Sequence, residues 1–108
     1  MEIDVNKAKK YVEHEFNYKV WDVDNDKSKA IAINKTAMSC IFIATYPGEK
    51  IFGENLSIRT DNERKLKSYM MHKAKEKYGP LTNVSKEEVY EVICYMIDKG
   101  NEWINKNL

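Results

Sequence analysis

KAIAINKTAMSCIFIAT, residues 29–45, is the stretch on which the fold turns. Isoleucine stands at positions 31, 33, 41 and 43 and threonine at 36 and 45. Such β-branched side chains are stiff at χ1 and pack well on a pleated surface. Lys29–Asn34 and Ala37–Thr45 therefore read as strands, with Asn34-Lys35-Thr36 either a turn between them or a bend in one long strand. Upstream, Tyr18–Asp24 reads as a strand for the same reason, and downstream Lys50–Ile58 reads as another, interrupted near Gly53-Glu54-Asn55. Between them, Tyr46-Pro47-Gly48-Glu49 carries a type II turn signal, since proline presets the first central φ and glycine supplies a positive φ at the second.

Helical signals flank this block. Asp4 is a suitable N-cap, and Val5, Ala8, Val12 and Phe16 then recur on one helical face, with Asn17 marking the end. Thr60-Asp61-Asn62-Glu63 has the form of a capping box, followed by Leu66, Met70, Ala74 and Tyr78 at a spacing of four. Gly79-Pro80 stops that helix, because glycine caps it and proline cannot continue it. Ser85-Lys86-Glu87-Glu88 is a second capping box, with Val84 and Val89 placed to staple it. Val89, Val92, Ile93, Met96, Ile97, Trp103 and Ile104 make a broad apolar face. Gly100, within that face, either admits another element closely or ends the helix.

The expected fold is therefore α+β: a small antiparallel sheet of three to four strands, an N-terminal helix and two C-terminal helices, with the helices on one face of the sheet. The order α-β-β-β-α resembles the double-stranded-RNA-binding domain in topology, but that family's glycine-and-lysine signature at the start of the second helix is missing. The 108 residues are expected to form a single domain spanning 1–108, large enough for one core.

WDVDNDKSKA, residues 21–30, has aspartate at 22, 24 and 26, the ligand spacing that opens a calcium loop. Such a loop needs glycine at its sixth position and glutamate at its twelfth. Those positions hold Lys27 and Ile33, so the aspartates are read as the polar tip of a hairpin at Asp24–Lys27 and no metal is expected. A hydrolase built on Asp22–Asp26 with Glu49-Lys50 is the weakest of three functional readings, because the acid-x-lysine element such enzymes use is replaced by Ile33-Asn34-Lys35. Neither histidine, His14 or His72, sits in a nucleophile or zinc pattern, and glycine-rich phosphate loops are absent. No cofactor is expected, and enzymatic activity is not favoured.

Composition narrows the class. Hydrophobic residues make up 43% and charged residues 32%, as in a folded, water-soluble chain. No apolar run has the length of a membrane span, and MEIDVNKAKK at the N-terminus has no signal-peptide core. Cys40 and Cys94 lie in apolar segments without metal-site company, so free thiols in a reducing cytoplasm are expected.

Net charge is +1, yet residues 59–78 hold seven cations against three acids, a local +4. Arg59, just ahead of the basic helix 61–78, and Arg64, Lys65, Lys67 and Lys73 on it are the candidate residues for a nucleic-acid contact. On the last helix, Glu91, Tyr95, Asp98 and Glu102 point away from the apolar stripe, and tyrosine is enriched at protein interfaces. The favoured reading is a small cytoplasmic binding protein, of the inhibitor or immunity type, that docks on a protein partner through Tyr95. The alternative is a nucleic-acid binder using the basic helix. The sequence does not fix the oligomeric state.

Overall fold

The computed structural model describes residues 3–18, 26–45 and 61–107. Four α-helices organise them: α1 (Val5–Tyr18), α2 (Asp26–Thr45), α3 (Glu63–Tyr78) and α4 (Val89–Asn107). Two single 3-10 turns, Leu81–Asn83 and Lys86–Glu88, join α3 to α4. The expected α+β fold is overturned, because no strand exists among the described residues and the fold is all-α. Any likeness to the double-stranded-RNA-binding topology goes with the sheet. Lys29–Asn34 and Ala37–Thr45 are one continuous helix, with Asn34–Thr36 in its middle. Asp26 and Lys27, read as a hairpin tip, form the first turn of α2, where a carboxylate complements the helix dipole. The segments 19–25 and 46–60, which hold the other expected strands and the Pro47-Gly48 turn, lie outside the described residues.

The physical reason for the misreading lies in what surrounds α2. It packs against α1, α3, α4 and the Leu81–Asn83 turn. Ile33, Ala37, Cys40, Ile41 and Ala44 are buried at helical spacing, and Met38 and Phe42 are buried beside them. A helix enclosed on most of its circumference loses the apolar-polar contrast that marks a helix in sequence. Short apolar runs are then indistinguishable from buried strands by pattern alone.

The helix ends follow their sequence signals. Asp4 Oδ1 accepts a hydrogen bond from the Lys7 backbone N–H at 3.0 Å, capping α1. Gly79, at φ 74°, donates its N–H to the Lys75 carbonyl at 2.9 Å and ends α3. Ser85 and Glu88 close the capping box before α4: Glu88 Oε1 accepts from the Ser85 hydroxyl at 2.8 Å and from its N–H at 3.4 Å. Thr60, the expected cap of α3, is outside the described residues.

Leu66, Met70 and Ala74 of α3 and Val89, Val92, Ile93, Met96, Ile97 and Ile104 of α4 join the α2 residues in one core, completed by Ala8 and Val12 of α1. Gly100 does not end α4. A Cβ built there would collide with Ile41 Cδ1 and lie 3.1 Å from Met70 Sδ, so its missing side chain is what lets α2 and α3 converge on α4. Lys29 Nζ donates to the Val84 carbonyl at 2.9 Å, pinning the start of α2 to the connection ahead of α4. Tyr90 donates its hydroxyl to Glu13 at 3.2 Å, joining α4 to α1.

Candidate functional site

Of the residues singled out on α4, Glu91, Tyr95 and Glu102 lie along its seam with α3. Glu91, Asp98 and Glu102 are exposed, as the helical spacing requires, whereas Tyr95 is half-buried. Its ring sits edge-on to that of Tyr78, with centroids 5.6 Å apart and planes at 85°. Lys77 Nζ lies 4.4 Å from the Tyr95 centroid and 5.3 Å from that of Tyr78. Lys99 Nζ lies 5.5 Å from Tyr95 on the same seam. Both geometries suit the ring quadrupole, negative on the face and positive at the edge.

Hydrogen bonds and ion pairs hold the rim. Tyr78 donates its hydroxyl to Glu91 Oε1 at 3.1 Å. Burial first, and then the Glu91 carboxylate, push the Tyr78 hydroxyl up to about 12. Lys99 bridges Glu102 at 3.2 Å, and this bond holds the ammonium above its ordinary value. Lys73 lies 5.7 Å from the Tyr69 centroid and 3.4 Å from Glu76. The result is three tyrosines, three lysines and three glutamates along the α3–α4 seam. Sequence reasoning found Tyr95 and its acidic neighbours but missed Tyr69, Tyr78 and Lys77. Those belong to a helix whose stripe was read as core or as basic surface, and only α3–α4 packing places them next to Tyr95.

Of the residues of the nucleic-acid reading, the structure describes Arg64, Lys65, Lys67 and Lys73. Arg59 lies outside the described residues. Arg64, Lys65 and Lys67 are exposed, but Lys67 turns toward α2, while Lys73 stacks on Tyr69. Asp22, Asp24, Glu49 and Lys50 are likewise outside the described residues, and Asp26 is exposed at the start of α2. No group of three metal-ligating side chains forms among the described residues. His72 is exposed, 3.6 Å from Glu76. His14, with Lys7, Lys10 and Tyr11, lines an open hollow of about 310 Å³ on α1.

Cys40 and Cys94 are both free thiols. Burial, reinforced by Glu15 and Cys94, pushes the Cys40 thiol up to about 12, and burial raises Cys94 as well. Thiols so shifted are poor nucleophiles.

The described residues thus define an all-helical domain with a tyrosine–lysine face along the α3–α4 seam. No protein-family description, curated protein or solved structure matches the chain. Among the described residues no helix is long and apolar enough to cross a membrane.

Proposed function

We propose that this chain is a small non-enzymatic binding protein that masks a protein partner, docking through the α3–α4 face centred on Tyr95. The observation that carries the reading is the fixed geometry of Tyr95, gripped by Tyr78 at 5.6 Å and by Lys77 at 4.4 Å. A ring held this way loses little freedom on binding, and pre-organisation is what converts contact area into affinity. Tyrosine anchors ringed by polar side chains are the usual make-up of an interface hot spot. The balance of Lys73, Lys77 and Lys99 against Glu76, Glu91 and Glu102 favours a partner of mixed charge. A polyanion would meet those three carboxylates, which weighs against nucleic acid as the ligand of this face. The two free thiols suit action in a reducing cytoplasm.

The test is co-purification of the tagged chain from its own cells, with the partner then purified and titrated against wild type, Tyr95→Ala and Lys77→Glu. A stoichiometric complex weakened at least tenfold by both variants supports the reading. A partner bound equally by all three would move the interface elsewhere. Nucleic acid co-purifying instead, lost on nuclease treatment or high salt, would favour the basic helix and refute the reading.

A further inference from the structure

The lysines of the α3–α4 seam are not alike. Lys73 lies 3.4 Å from Glu76, and Lys99 lies 3.2 Å from Glu102. Lys77 has no carboxylate partner among the described residues. Its side chain is exposed, with Nζ 4.4 Å from the Tyr95 centroid and 5.3 Å from that of Tyr78. The seam's glutamates each already hold a donor of this chain. Glu76 holds Lys73, Glu102 holds Lys99, and Glu91 accepts the Tyr78 hydroxyl at 3.1 Å. Among the described residues the seam is thus short of one anion, and the shortfall lies beside Tyr95.

A protein that covers the Tyr95 ring must also cover an ammonium 4.4 Å from its centre. An ammonium is strongly hydrated. Ring faces attract it, but they do not replace the hydrogen bonds that its N–H donors make with water. A cation covered without an anion is costly, whereas one met by a carboxylate is not. We infer, on the reading that Tyr95 is the anchor, that the partner presents an aspartate or glutamate side chain to Lys77, next to an apolar side chain on the open part of the Tyr95 ring. The two rings hold the Lys77 ammonium in place before the partner arrives, so the pair forms with little further loss of freedom.

The probes are the capped peptide acetyl-Leu-Glu-Leu-amide and its counterparts with glutamine or lysine in the middle. Each is titrated into the full chain with isotope-labelled lysine, and the lysine side-chain signals are followed by magnetic resonance. The glutamate peptide should give saturable shifts at Lys77, larger than at Lys73 or Lys99, and bind several-fold tighter than either counterpart. Lys77→Met keeps the stem and removes the charge, so it should erase the preference for glutamate over glutamine, whereas Lys77→Arg should keep it. The purified partner gives the second readout. Lys77→Met should weaken it at least tenfold, and one acid-to-lysine change on the partner should restore binding to Lys77→Glu. The inference is overturned if the glutamate peptide does not saturate, if the three lysines shift alike, if the lysine peptide binds best, or if Lys77→Met keeps the preference. A partner weakened by Tyr95→Ala but indifferent to Lys77→Met overturns the inference alone and leaves the Tyr95 face standing. A partner indifferent to both variants refutes the docking reading and the inference with it.

Discussion

The convergence of three helices at Gly100 can be tested by a size exchange between α2 and α4. Glycine inside a helix is about 1 kcal/mol worse than alanine, so at an open position Gly100→Ala should stabilise by that amount. Here the new methyl meets Ile41 Cδ1 and Met70 Sδ, both in the buried core. Overpacking of a filled core typically costs about 1–3 kcal/mol. Gly100→Ala should therefore destabilise by a net of about 0–2 kcal/mol. Ile41→Val deletes the obstructing Cδ1 and alone should cost about 0.5–1.5 kcal/mol. In the double variant the alanine methyl occupies the space vacated by Cδ1, the helix gain is recovered, and stability returns close to wild type. The coupling should be favourable by about 1–3 kcal/mol, the overpacking relieved, within the range for residues in contact. Urea unfolding of the four proteins, followed by far-UV circular dichroism at a common m-value, measures it. If Gly100→Ala stabilises the protein, or the single effects add within about 0.3 kcal/mol, then α2 does not lie against Gly100 and the packing described here is wrong.

Three further outcomes are expected. Tyr78 and Tyr90 are both pushed up to about 12, chiefly by burial. Below the usual value of 10.0 the phenols are protonated in both states. As pH rises from there toward 12 the unfolded chain loses its protons first, so stability should fall across that window. Phenolate absorbance should show a late component that Tyr78→Phe and Tyr90→Phe each reduce, and uniform ionisation of all tyrosines near the usual value would contradict it. Cys40, buried and pushed up to about 12, should resist iodoacetamide in the native protein at about pH 8 and react once urea is added. Mass mapping of the label would show otherwise if the site were open. Ile93→Ala should lose about 2–5 kcal/mol as a core truncation, and Tyr95→Ala about 1–2 kcal/mol from its ring pair and cation contacts. A Tyr95→Ala loss in chemical denaturation as large as the Ile93→Ala loss would mark Tyr95 as a core residue and undo its role as an anchor.

The candidate site was half legible in the sequence. Tyr95, Glu91, Asp98 and Glu102 were placed on a shared outer face because α4 has a broad apolar stripe that fixes its orientation. The expectation of a freely exposed Tyr95 failed, since Tyr78 and Lys77 cover part of its ring. No pattern within one helix reports a neighbour contributed by another.

Local chemistry fixed what the sequence determined alone. Asp4, Gly79-Pro80 and the Ser85–Glu88 box set helix ends through groups no more than a few residues apart, so capping was readable without knowledge of the fold. The stripes of α1 and α4 were readable because each has a solvated side that makes the 3.6-residue period visible. Tertiary structure decided the state of residues 26–45. Their isoleucines and threonines carry strand preference, which is weak and depends on context. Burial among α1, α3 and α4 overrode it, since a central helix satisfies its own backbone hydrogen bonds while offering apolar contacts to several neighbours at once. Gly100 shows the same division: the sequence offered an end or a close approach, and only the arrival of Ile41 and Met70 selected the approach.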